Sequence, residues 1–483
     1  MRGRGQRILR ACFLVLLGAY LALAAFQLLA QIGLFPRYGD TKEYLVLATT
    51  LKVDGYRGIL YPAFLAGIDK LVGHSLLAGY EHNTLHLGLP APPPSAIWIQ
   101  ITQLFLFGVA LVYALQAALP STRRRRPFQV LWAILFLDPV LLHLNLSILS
   151  DGLCLSCLLL FAGGLASLVR RRGRPWFHWC MIFVGGLGSS LLRVEKIYVI
   201  VLVLILFIAL ALWLRRKSST VLTRRSALGL GAVALLLALS TQWIESATTI
   251  SNWRWPTTVR WPREISWLHE RIIRPNMHAI RDELPSDLQE RLTPSQIEQY
   301  DSSVQGARSV MYHLCRTGSP RLEDVTHEMA GAVLHDHPLL LAKNVLHDAL
   351  GHLFITPSFY LDLARSGTDP TRFDHAEREN GNLWTYLRIA GKHPQRAKLL
   401  LLLAGVAGMV ATVLTLTRGV VAWRSGARPD AKFLLALTPF LLLWIVNAMA
   451  FTAAGQVIHI RYGLIAHATA LGMVWYPALA SLL

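Results

Sequence analysis

The residues that could do chemistry in this 483-residue chain are ionisable groups at the ends of long apolar blocks. A charge beside lipid is expensive unless compensated, so such residues merit a functional reading. Asp40 follows the first block in Gly39-Asp40-Thr41-Lys42-Glu43-Tyr44, and Asp151 lies in the short connection Leu149-Ser150-Asp151-Gly152, read as a tight turn. Arg193, Glu195 and Lys196 fill the next connection, and His459 with Arg461 and Tyr462 opens the last block. A carboxylate can deprotonate an acceptor hydroxyl, and a guanidinium can grip a phosphate. The plainer reading of any one of them is a solvated helix end. Asp138, inside an apolar block before Pro139, has His143 close to i,i+4 spacing as its expected partner. His335, His337, His347 and His352 alternate with Asp336 and Asp348 without the spacing of a compact two-histidine metal site.

The elements that must position these groups are apolar helices. The composition is 54% hydrophobic with a mean hydropathy of +0.43, and the apolar residues fall in blocks at 10–34, 97–119, 128–148, 152–169, 176–192, 197–214, 226–244, 398–417, 433–453 and 463–482. At ~20 residues per crossing this predicts an all-α polytopic membrane protein with about ten transmembrane helices. The net charge of +19 is concentrated in short segments. These carry Arg2, Arg4, Arg7 and Arg10; Arg123 to Arg126; Arg170, Arg171, Arg172 and Arg174; Arg215, Arg216, Lys217, Arg224 and Arg225; and Arg418, Arg424, Arg428 and Lys432 beside Asp430. If all face the cytoplasm, the blocks alternate without conflict and both termini are cytoplasmic. The basic excess is then a topology signal, which argues against nucleic acid as a partner. The basic start followed by a long apolar run, Ile8 to Phe35, reads as a retained first span. Cys12, Cys154, Cys157 and Cys180 lie in apolar blocks, leaving Cys315 alone in the hydrophilic region and no disulfide framework expected there.

The organisation expected is an N-terminal transmembrane module over 1–244 with a first outer loop at 35–96, an outer soluble region at 245–397, and C-terminal transmembrane helices over 398–483. The first outer loop has two part-apolar stretches of helical spacing, Tyr44 to Lys52 and Ile59 to Val72, before Pro90, Pro92, Pro93 and Pro94. Short juxtamembrane helices fit this pattern. The outer insert between spans 7 and 8 opens with Trp253, Trp255, Trp261 and Trp267, as at a membrane interface. It continues as mainly helical sequence, including an amphipathic piece from Pro338 to Ile355.

The order of these pieces resembles the GT-C superfamily of membrane glycosyltransferases, which includes the protein O-mannosyltransferases and the lipid A aminoarabinose transferase. That family's first outer loop reads Gly-Asp-(three residues)-Tyr, matched by Gly39-Asp40 with Tyr44. Its basic residue and aromatic-Pro pair are matched by Arg57 and Tyr61-Pro62, although Gly58, Ile59 and Leu60 intervene where the family more often has Pro. Its acidic residue after Leu-Ser or Leu-Thr is matched by Asp151, its Arg at the outer end of the fifth span by Arg193, and its late Arg-Tyr by Arg461-Tyr462. The match covers the first ~200 residues and the last span. Region 245–397 matches nothing in it.

The resemblance implies transfer of a sugar from a polyprenyl-phosphate donor to a lipid, glycan or protein hydroxyl at the outer face of a membrane. Asp40 would act as general base, Arg57, Arg193 and Arg461 would hold the donor phosphate, and Asp151 would position the acceptor or help bind a divalent cation. Glu43, Tyr44, Tyr61, Lys196, His459 and Tyr462 would support them. Scarce outer cysteines and sequons favour a bacterial inner membrane with the site facing the periplasm; the sequon Asn145-Leu146-Ser147 lies within an apolar block. Two other classes stay open: a transporter or lipid flippase, which would more commonly show repeated halves, and a non-catalytic partner in cell-envelope polysaccharide assembly.

Overall fold

The computed structural model describes residues 39–51, 58–74, 96–119, 125–170, 174–193, 196–215, 224–248, 334–336, 338–353 and 428–453, with scattered positions in 11–25, at 295 and 331, and in 465–472. Among the described residues every regular element is a helix. In chain order these are α1 (Gly39–Thr50), α2 (Leu60–Leu71), α3 (Ile97–Ala118), α4 (Arg125–Phe136), α5 (Pro139–Leu146), α6 (Ser150–Arg170), α7 (Pro175–Leu192), α8 (Lys196–Arg215), α9 (Arg224–Thr248), α10 (Pro338–Leu353) and α11 (Arg428–Ala453). Three helical stretches among the described residues are long and apolar enough to cross a membrane: Ile97–Ala118, Ser150–Arg170 and Arg225–Ile244. Shorter apolar helices run over Lys196–Leu212 and Ala436–Ala450. The expected spans at 10–34, 398–417 and 463–482 fall wholly or mostly outside the described residues.

The chain divides into two compact units, one of Met1–Ile250, Ile355–Asn447 and Ile460–Leu483, the other of Ser251–Phe354 and Ala448–His459. In the first, α6 is the central helix. It is apolar on every side, as a helix surrounded by others must be, and packs most extensively against α7 and α3. Small residues let the backbones close up, as is common where helices meet in lipid. A methyl group at Gly185 of α7 would lie 2.5 Å from Cys157 O and 2.6 Å from Phe161 N of α6, and one at Gly164 of α6 would lie 2.6 Å from the Ile182 side chain of α7. By contrast α9 leaves Leu228, Leu235, Leu236 and Leu239 exposed, a surface suited to lipid. In the second unit, α10 carries Leu339, Val345, Leu346 and Leu350 exposed.

The connectivity brings alternate helix ends together. At one end Arg170, closing α6, donates from Nη1 to Leu119 O beyond α3; the Tyr113 hydroxyl pairs with His178 Nδ1 at 2.9 Å; and Gly229, early in α9, abuts the Trp179 ring near the start of α7. The basic segments at 121–127, 170–174 and 215–225 all adjoin this end. The starts of α3, α6 and α8 and the end of α7 make up the opposite one.

The block at 128–148, expected as one continuous span, is two helices broken at Leu137-Asp138-Pro139. Pro139 has no N–H to give and is preset for a first helical position, while Asp138 Oδ1 accepts Leu141 N at 3.0 Å and so caps α5. Asp138 therefore serves as an N-cap; the side chain of His143, its expected partner, lies outside the described residues. The connection around Asp151 also differs from expectation. The bend falls on Ser147-Ile148-Leu149, and Asp151 stands in the first turn of α6 instead of in a tight turn.

Candidate functional site

Residues 39–74 supply two short helices, and both are pinned to the long apolar helices by polar side chains. Gly39 and Asp40 open α1. Immediately after them, Thr41 Oγ1 donates to Ile148 O in the α5–α6 bend at 3.2 Å. One turn on, the Tyr44 hydroxyl meets Ser150 Oγ at 2.7 Å. Tyr44 packs edge-on against Tyr61 with ring centroids 4.8 Å apart, an arrangement aromatic pairs favour. The Tyr61 hydroxyl donates to Gln103 Oε1 of α3 at 3.0 Å. The chain entering α2 passes so close to the end of α7 that a side chain at Gly58 would collide with the Leu191 carbonyl. That contact is why Gly58 follows Arg57 here.

The bend between α5 and α6 has carbonyls that no helix satisfies, and an apolar bundle has no bulk water to satisfy them. Two glutamines of α3, one turn apart and both fully buried, do so instead. Gln100 Nε2 donates to Leu146 O at 2.9 Å. Gln103 Nε2 donates to Asn145 O at 2.7 Å and Ser147 O at 3.0 Å. Gln103 therefore joins Tyr61 on one side to the bend on the other. Asn145 is fully buried and donates to Leu141 O at 2.7 Å, so the Asn-Leu-Ser sequence there is packed inside the protein.

The bend delivers Asp151 to Arg193. Arg193 caps α7, its N–H bonded to Ser189 O at 3.0 Å, and its Nη1 donates to Asp151 Oδ1. The Asp151 side chain is 2% exposed and that of Arg193 17%, so the ion pair is largely withdrawn from solvent. The backbone favours both charges, with the carboxylate at the positive end of α6 and the guanidinium at the negative end of α7. Removing one partner of such a pair costs ~3–5 kcal/mol, because the other is left buried and unpaired. Two bonds continue the cluster. Lys196 N donates to Arg193 O at 2.9 Å, and the buried Lys196 Nζ donates to Asn447 Oδ1 of α11. Burial holds the Tyr61 phenol well above its ordinary pKa, and the nearby Tyr44 and Asp151 push the same way, so Tyr61 stays a proton donor.

Of the residues singled out from sequence, Tyr44, Tyr61, Asp151 and Arg193 thus gather at one end of the helices, opposite the end that adjoins the basic segments, and Lys196 joins them through the Arg193 backbone. Asp40 and Glu43 stand in α1, with side chains outside the described residues; Arg57, Glu195, His459, Arg461 and Tyr462 lie outside them altogether. Among the described residues no three His, Cys, Asp or Glu side chains gather as ligands for a metal ion. Sequence reading passed over Gln100, Gln103, Ser150 and Thr41. The signal for the glutamines was present, as two polar side chains one turn apart in an otherwise apolar span. Comparison with known protein families, with curated proteins and with solved structures finds no match to this chain.

Proposed function

We propose that this protein is an integral membrane glycosyltransferase of GT-C type, moving a sugar from a polyprenyl-phosphate donor to an acceptor hydroxyl at the outer face of a bacterial inner membrane. In this reading about ten helices cross the bilayer, both termini are cytoplasmic, and the site faces the periplasm. The observation that carries the proposal is the buried Asp151–Arg193 pair, set beside Tyr44 and Tyr61 at the helix ends remote from the basic segments. A lipid-linked phosphate presents its charge at that depth of a membrane.

The chemistry follows from the residue types. The acceptor oxygen attacks the anomeric carbon, forming the new C–O bond, and Asp40 takes the hydroxyl proton. The bond from the anomeric carbon to the phosphate oxygen breaks, and its electron pair leaves with the polyprenyl phosphate. Arg193, Arg57 and Arg461 stabilise the charge developing there.

Two measurements on the full-length protein in lipid nanodiscs test this. Mass spectrometry of co-purified lipid should find a polyprenyl-phosphate sugar, depleted in Arg193→Gln. Consumption of that lipid should fall by at least ~10²-fold in Asp40→Asn, the scale of lost general-base catalysis, with thermal unfolding unchanged. Wild-type turnover in Asp40→Asn removes the assigned base and the transferase reading with it. A transporter would keep its bound lipid chemically intact throughout.

A further inference from the structure

We infer that Asp151 is a positioning residue, which holds the Arg193 guanidinium in place to receive the donor phosphate and does not itself contact the acceptor or a cation. The inference rests on the donor-binding reading given above and assigns the pair a division of labour within it.

The geometry supplies the argument. Asp151 is anchored by its helix, in the first turn of α6, and its carboxylate is almost wholly enclosed at 2% exposure. Arg193 follows the last residue of α7, where the chain turns extended, and its side chain retains 17% exposure. The two charges thus differ in access, and the cation is the one nearer solvent. A guanidinium carries five N–H donors in a rigid fork, enough to engage a carboxylate and a phosphate together. Arg193 stands at a helix C-terminus, where the chain has no further helical geometry to restrict the side chain, and a fixed carboxylate removes that freedom before the ligand arrives. Such pre-organisation strengthens binding by lowering the ordering cost. Lys196, three residues on, brings a second cation to the cluster.

The two effects of removing the Asp151 charge have opposite signs, so experiment separates them. Electrostatics alone predicts that Asp151→Asn binds an anion more tightly, since a negative charge has gone. Positioning predicts weaker binding. The probe is undecaprenyl phosphate, compared with uncharged undecaprenol, in phosphatidylcholine nanodiscs holding the full-length protein. We expect Asp151→Asn to weaken undecaprenyl phosphate by about tenfold, the value of one charge-assisted hydrogen bond, and to leave undecaprenol unchanged. Asp151→Glu should restore part of the loss. The double variant with Arg193→Gln should bind no more weakly than Arg193→Gln alone, since both changes remove one interaction. Tighter or equal phosphate binding in Asp151→Asn overturns the inference, as does equal weakening of both lipids, which would mark a purely structural role. If Asp151→Asn does not fold, Asp151→Glu carries the same test: its phosphate affinity should fall below wild type, and an unchanged value overturns the inference. Wild-type protein that does not prefer the phosphate to the alcohol instead overturns the donor-binding reading, and this inference with it.

Discussion

The two ends of the same helices spend their polar groups differently. Among the described residues at the Arg170 end they join helices in pairs: Arg170 caps the neighbouring α3 through Leu119 O, and Tyr113 bonds to His178 and Ser167 beside a ring cluster with Phe177. At the Asp151 end the polar groups are buried, continuous and shared among α1, α2, α3, α6 and α7 through Thr41, Tyr44, Tyr61, Gln103 and Arg193. A helix bundle in lipid needs only the first arrangement in order to stand. The second satisfies a break in the backbone and fixes two short helices beside an ion pair, and it is the end to which the proposed function assigns binding.

If this contrast is right, substitutions at the two ends should separate stability from activity. Gln103→Leu should have the largest effect, leaving the Asn145 carbonyl and the Tyr61 hydroxyl without their partner and the Ser147 carbonyl without one of its two donors. At ~1–3 kcal/mol for each buried group so stranded, stability in detergent should fall by about 2 kcal/mol or more, and lipid turnover should fall with it. Retained turnover would show that the bend does not position the site. Gly58→Ala should follow, at about 1–3 kcal/mol for forcing a methyl group against backbone; its signature is weakened docking of α2, read as faster proteolysis around α2. Arg170→Met should be smallest, about 1 kcal/mol for one lost hydrogen bond, with turnover unchanged. A loss of turnover there would erase the distinction between the ends. The same contrast has a pH signature. Because the folded protein raises the Tyr61 pKa, the stability contributed by its protonated form is complete below about pH 10, the unfolded value, and is lost as pH rises further. Tyr61→Phe should lose less stability above that point, as measured by thermal unfolding across an alkaline series.

Much of this frame was legible from hydropathy alone. Helices α3, α6, α7, α8 and α9 fall on expected spans, and α1 and α2 on the two part-apolar stretches of the first outer loop. The break at Asp138 was not, because apolar residues continue on both sides of it and hydropathy does not distinguish one long helix from two short ones. The Asp-Pro pair carried that information as an N-cap with a first-position proline. In the site, the charged and aromatic residues were recognisable by type. The glutamines were visible as polar residues in an apolar span, but their partners were not, since these are backbone carbonyls, which any sequence supplies and none advertises. The pairing of Asp151 with Arg193 depends on where α6 starts, and that start moved when the bend fell on residues 147–149.

The glycine contacts between α6 and α7 have a mechanical consequence. With Gly164 and Gly185 admitting the neighbouring helix almost to backbone contact and Gly188 seated against the Cys157 side chain, the two helices are keyed like a bolt in its slot, and one cannot slide along the other without steric collision. A shift of a single turn would be ~5.4 Å, enough to carry the ends of the helices out of reach of each other. The start of α6 that carries Asp151 and the end of α7 that carries Arg193 are therefore held in register by packing far from either charge.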